Sequence, residues 1–337
     1  MAQPSVDQRD AKGDWRPVDH ISLPPIYNWP PRPMVIAKWF AGFPGYLWPL
    51  NALVFAITAA TWFLLTPDLA QMKTVELWWV AFLFVRNIAL TTAFFGGLHL
   101  YLYSFKQQKE ALKFSTKPFA THNRRFLFRD QVRDNLFRAL GFGVPIIPAY
   151  AALTYWLFAN GYLQFIPIAE GSVGFWVWFV VLLLVMPVIH STHFYFSHRL
   201  LHWRPLYKSV HRIHHYNIEV GPWSGLAMHP LELAIYFSTV CVQWLLALHP
   251  LNALFQLQFA IFNAAMSHTG FEKILLSNDV GIESNSYFHY LHHRYFECNY
   301  GGTIAPMDQL FGTFHDGTPE AQERMQARMR SRLGDAG

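Results

Sequence analysis

Residues 47–66, LWPLNALVFAITAATWFLLT, run for twenty positions without a charge. At 1.5 Å rise per residue, a helix of that length crosses about 30 Å, the thickness of a bilayer's hydrocarbon core. Comparable apolar runs occupy 77 to about 103, about 140 to 163 and about 173 to 196. They predict four transmembrane helices. Two further runs, about 231–248 and 251–267, meet at His249-Pro250 and predict a helical hairpin that dips in and returns. With 53% hydrophobic and 14% charged residues, the chain is too apolar for an ordinary soluble protein of 337 residues. The expected fold is an all-α integral membrane protein.

The flanks are different. Residues 1–44 are polar and then proline-rich, expected to form an extended surface segment rather than a helix, because proline lacks an amide proton and turns its predecessor away from helical geometry. No cleavable signal peptide is expected in MAQPSVDQRDAKGDW, which has no apolar core after a basic start. The loop 106–138 holds nine basic residues against Glu110, Asp130 and Asp134. By the positive-inside rule it is cytoplasmic, and counting passes places the end of the fourth span on the same side. The expected organisation is 1–44 N-terminal segment, 45–180 membrane helices, 181–316 a histidine-rich domain and 317–337 a charged, solubilising tail. Cys241 and Cys298 fit neither a disulfide framework nor a zinc pattern and read as inert.

Directly after the fourth span, HRLLH (198–202) places His198 and His202 at i and i+4, on one face of a helix. HRIHH adds His211, His214 and His215, and the same HxxHH spacing returns as HYLHH at His289, His292 and His293. Without a metal, such crowding forces imidazoles to satisfy one another's donors or to accumulate charge below pH 6.5. Neutral imidazole suits zinc, iron, copper and nickel, and eight ligands exceed one tetrahedral ion, so two transition metals is the natural count. The isolated His99, His122, His190, His193, His249 and His315 read as hydrogen-bonded interfacial or core residues. HExxH, which a metalloprotease needs, is missing, as are the Glu-x-x-His repeats of a carboxylate-bridged bundle. A histidine-rich dinuclear centre beside a hydrocarbon-like environment favours oxygen activation against a lipid C–H bond; a membrane zinc-dependent lipid hydrolase is the alternative.

Over residues 186–316 the chain resembles the fatty acid hydroxylase / sterol desaturase superfamily of membrane non-haem di-iron oxygenases. The resemblance rests on HRLLH, HRIHH, AMHPLE (227–232), SHTGFE (267–272), HYLHH and NYGGTIAPMDQLFGT (299–313). It implies two irons held by His198, His202, His211, His214, His215, His289, His292 and His293, with His268 as a ninth ligand, in a cytoplasmic cap over four membrane helices. It also implies O2 as co-substrate, a membrane lipid as substrate, and electrons from a separate cytochrome or ferredoxin; no nucleic-acid partner is expected. His229, Glu272, Asn299 and Asp308 are possible supporting residues: His229 beside the substrate or as a helix entry, Glu272 on one helical face with His268, Asn299 and Asp308 ordering a loop. Ser191 stands where many members carry an aspartate, seven residues before the first histidine of the box. Trp176, Trp178, Phe194, Tyr195 and Phe196 are expected along a lateral lipid route or in an interface belt.

Overall fold

The computed structural model describes residues 9, 13–17, 21, 23–277 and 280–334, the last three without side chains. Most of the N-terminal stretch read for a signal peptide, and the final three residues of the tail, lie outside the described residues. Helices dominate, and four are long and apolar enough to cross a membrane: α2 (Leu47–Leu65), α3 (Leu77–Ser104), α4 (Gln131–Ala159) and α5 (Val173–Leu201). Their outward faces carry exposed apolar side chains such as Phe63, Leu64, Val85, Val173 and Val177, as a lipid-facing surface requires.

Several boundaries differ from the sequence-based expectation. The N-terminal segment does hold a helix, α1 (Pro33–Ala41), because Pro33 sits in its first turn, where a missing N–H costs nothing. Span three begins inside the stretch read as a basic loop: the Asp130 carboxylate accepts from Arg133 N at 2.9 Å and starts the helix at Gln131. Span four does not stop at residue 196 but continues to Leu201, so His198 lies inside it and His202 caps it. Its start is set by Ser172, whose hydroxyl accepts from Phe175 N at 3.2 Å.

The hairpin is asymmetric. Its first arm breaks into α6 (Pro230–Phe237) and a short turn of helix at Thr239–Gln243, and only its second arm is a continuous helix, α7 (Pro250–Ser267). His249 Nδ1 accepts from Leu251 N at 3.2 Å while Asn252 Oδ1 accepts from His249 N at 3.1 Å, a reciprocal cap that fixes the start of α7. Rather than dipping in at the edge, α7 packs against α2, α3, α4 and α5. Sixteen of its eighteen residues are buried. Its amides knit the bundle: Asn252 donates to Phe179 O at 3.2 Å, Gln256 to Thr239 Oγ1 at 2.9 Å, and Gln258 to Thr61 Oγ1 at 3.0 Å while accepting from Thr58 at 2.8 Å.

Among the described residues the one sheet is two-stranded and antiparallel, β1 (Lys273–Leu275) with β2 (Gly281–Glu283). After it come α8 (Ser286–Tyr295) and α9 (Pro319–Gly334). The charged tail is therefore a docked helix. Ala321 and Met325 are buried, and Arg328 donates to Gly312 O at 2.5 Å and also to Glu297 O.

Candidate metal centre

The helix α5 carries His198 and His202 down to its end, α7 ends at His268, a 3-10 run at His211–Tyr216 brings three more histidines, and α8 brings the last three. All nine histidines singled out from the sequence converge. Two groups form: His198, His202, His211, His215 and His292; and His214, His268, His289 and His293, each with ligand atoms within 4.8 Å of one another. A shell of imidazoles with metal bonds of about 2.1 Å spans up to about 4.2 Å, so each group needs only a small contraction to close on one ion. The HxxHH motifs are shared: His211 and His215 join the first group and His214 the second, whereas His289 and His293 join the second and His292 the first.

Second contacts fix which nitrogen faces inward. His198 Nδ1 donates to Tyr300 O at 2.7 Å, His211 Nδ1 to Glu232 Oε1 at 2.7 Å, His292 Nδ1 to Cys298 O at 2.6 Å and His268 Nδ1 to Ala264 O at 2.8 Å. Each carbonyl bond places the imidazole proton on the outer nitrogen and leaves Nε2 as a bare lone pair, and Glu232 does the same for His211 in its ionised form. Yet His198 Nε2 and His211 Nε2 stand 3.0 Å apart, and His292 Nε2 lies 3.1 Å from His215 Nε2. Two lone pairs at 3.0 Å with no proton between them repel unless a cation joins them. Protonation does not supply the cation: burial first, then the neighbouring imidazoles, push His202, His211, His215 and His292 well below the ordinary histidine pKa. His289 Nε2 is buried with no partner among the described residues, a further donor that fits a metal.

Glu232 carried no assigned role in the sequence reading, although it stands in the AMHPLE stretch. It is buried on α6, and burial raises its pKa well above the usual carboxylate range. The signal was one acid in an otherwise apolar helix, but nothing in the sequence pairs it with a histidine twenty-one residues away. His229 instead caps α6, accepting from Leu231 N at 3.1 Å, and is part-exposed rather than beside the cluster. Glu272 does not share a helical face with His268, because α7 ends there and Glu272 begins the turn into β1. Burial and then Glu283 raise its carboxyl to about 7.

Asp308 and Asn299 order the closing loop. Asp308 accepts from Tyr300 N at 2.8 Å, Gly301 N at 2.7 Å and Thr313 Oγ1 at 2.6 Å, and so steadies the carbonyl that receives His198. Asn299, with φ of 53°, donates to Phe288 O and His315 O and accepts from His315 N at 2.7 Å. Ser191 is buried and its hydroxyl has no partner among the described residues, and it is the Tyr300 carbonyl that orients His198.

A cavity of about 610 Å³ lies against the histidines and is walled by residues of α5 and α7. Its walls include Phe194, Phe259, Met228 and, from α1 and the turn into α2, Trp39, Tyr46 and Trp48. Of the aromatics expected along a lipid route only Phe194 lines it; Trp176, Trp178 and Phe196 point outward and Tyr195 is buried against Phe311. The N-terminal segment is thus a strap, held by Tyr27 to Ile304 O at 3.0 Å and by Tyr46 to Leu184 O.

The sequence pattern of the fatty acid hydroxylase family matches residues 179–313, the stretch that supplies every histidine of the cluster. These residues are a fatty acid hydroxylase domain. Methylsterol monooxygenase erg25A of Aspergillus fumigatus is 32% identical over 157 residues, covering 44% of this chain and 51% of that protein. A Delta(7)-sterol-C5(6)-desaturase of Nicotiana tabacum is 30% identical over 189 residues, 54% of this chain and 66% of that protein. The domain therefore belongs to the fatty acid hydroxylase / sterol desaturase superfamily, and the chain spans about half the length of the first curated relatives it matches. No solved structure matches the chain.

Proposed function

We propose that this protein is an O2-dependent di-iron oxidoreductase that hydroxylates or desaturates a membrane lipid of sterol or fatty-acyl type. One observation carries the metal: the bare Nε2 lone pairs of His198 and His211, 3.0 Å apart, with both outer nitrogens committed as donors. The oxidoreductase reading is supported by the family of residues 179–313 and by relatives named as a monooxygenase and as desaturases; those names favour it over a zinc hydrolase.

The protein's own part is to hold, orient and dry. Tyr300, Cys298 and Ala264 carbonyls and the Glu232 carboxylate hold four imidazoles in one tautomer, and the two histidine groups would each take one iron. Bound there, the irons supply O2 activation and removal of hydrogen from an unactivated carbon. Phe194, Phe259 and the aromatic strap exclude water from the cavity and present the lipid to the histidine end.

The catalytic face is read as cytoplasmic. In support, the basic segment 106–130 packs on the histidine-bearing half, with Phe114 N donating to Gly270 O at 3.0 Å and a bridge between Lys113 and Phe271. Electrons then come from a separate cytochrome or ferredoxin on that side. The test is lipid-dependent O2 uptake by iron-loaded protein with a chemical reductant, with product analysis by mass spectrometry. Uptake that needs iron and lipid together supports the reading; hydrolysis of a lipid ester by zinc-loaded protein without O2 overturns it.

A further inference from the structure

The central helix α7 carries four side-chain amides, and three of them are spent on the bundle: Asn252, Gln256 and Gln258 each bond to a neighbouring element. The fourth, Asn263, makes no hydrogen bond to any described residue. On a helix otherwise buried all round, Asn263 and Ser267, one turn apart, are the two positions that keep some exposure, and both line the cavity. The Ser267 hydroxyl is already committed, donating to Ala264 O at 3.2 Å. Asn263 therefore offers a free donor and a free acceptor to whatever enters. Asn263 is only half-buried, and its amide faces the cavity with both its donor and its acceptor open to a ligand, whereas its three sister amides each bond to a neighbouring element.

The charge of the walls narrows the ligand. Neither α5 nor α7 presents a lysine or arginine to the cavity, and the one lysine among the described lining residues, Lys273, is paired with Glu283 at 3.1 Å. An ionised carboxylate, sulfate or phosphate beside Asn263 would lose its water without gaining a cation. A hydroxyl both donates and accepts, as the amide does. His268 stands five positions after Asn263, about 7.5 Å along the helix.

We propose that the Asn263 amide is the anchor for a neutral hydroxyl of the lipid, and that it sets the carbon presented to the histidines within about 8 Å of that hydroxyl. This deepens the lipid-oxidising reading above and rests on it for the identity of the cavity as the substrate site. The substrate class is a lipid alcohol whose polar group goes inside with it, in place of a chain whose charged head stays outside.

The experiment is equilibrium binding of radiolabelled cholesterol, cholestane and cholesterol sulfate to the full-length protein in detergent, for wild type, Asn263→Ala and Asn263→Gln. Wild type is expected to bind the alcohol at least tenfold tighter than the hydrocarbon or the sulfate. Asn263→Ala should bring the alcohol down to the hydrocarbon's affinity, and Asn263→Gln should restore part of the difference, which separates a lost anchor from a misfolded variant. Equal binding of alcohol and hydrocarbon by wild type, tighter binding of the sulfate, or an alcohol preference that survives in Asn263→Ala overturns the proposal. Iron content measured on the same samples reports on the di-iron reading independently: protein without iron that still prefers the alcohol would refute that reading and leave the anchor standing.

Discussion

Replacing Glu232 should move the protein's stability in opposite directions with and without metal. Its Oε1 accepts His211 Nδ1–H at 2.7 Å, with both side chains nearly inaccessible at 1% and 3% exposure. Glu232→Leu leaves that N–H buried and unpaired, about 1–3 kcal/mol, and at 1.4 kcal/mol per decade this is roughly a five- to hundredfold loss of metal affinity, the range seen when outer contacts of ligating histidines are removed. Glu232→Gln keeps an oxygen but not its charge and should fall between. In the metal-free protein the same carboxyl is a liability: its pKa is forced upward by burial and Oε2 has no partner among the described residues. There Glu232→Leu should leave the melting temperature unchanged or raise it. The assay is iron retention against a graded chelator, with thermal unfolding of the loaded and stripped forms. Unchanged retention in Glu232→Leu, or an equal loss of stability in both forms, would refute the assignment and reduce Glu232 to a packing residue.

Three other perturbations follow from contacts. Asp308→Ala removes an acceptor of three hydrogen bonds and should cost about 3 kcal/mol, read as a lower unfolding midpoint together with weaker metal retention through Tyr300 and His198; a midpoint equal to wild type would contradict it. Gly225→Ala would put a Cβ 2.2 Å from the Ala264 carbonyl oxygen, backbone that cannot yield, and should cost about 1–3 kcal/mol or more, seen as loss of monodisperse protein on size exclusion. For Glu272, held at about 7 in the fold by burial and Glu283, the folded state binds the proton more tightly than the unfolded chain. Its stabilising contribution is therefore complete below the ordinary carboxylate pKa and is lost as pH rises through about 7, on the order of 2–3 kcal/mol. Glu272→Gln should flatten the fall in unfolding midpoint between pH 5 and 8, and an identical slope would sink the argument.

What the sequence makes legible depends on whether the signal is local. The four spans are readable because each contains a long, strongly apolar run, and the nine histidines because their spacing repeats. The helix α1 is hidden by prolines that read as breakers yet sit where a helix tolerates them, as Pro33 does. The break in the hairpin's first arm is hidden because its residues stay apolar through the turn after Gln243. How HRIHH and HYLHH divide between two groups is set by a 3-10 run meeting an α-helix, a tertiary fact with no local trace. Glu232 and Asn263 escape for the same reason: their neighbours decide that one acid is paired with His211 and that one amide of four is left free.

The most direct measurement is metal content by mass spectrometry on protein purified anaerobically in mild detergent, comparing wild type with His292→Ala from the first histidine group and His214→Ala from the second. Two irons per chain in wild type, falling toward one in each single variant, is the expected result. Stoichiometric zinc that persists in iron-rich growth, or no bound metal with the fold intact, would contradict the account.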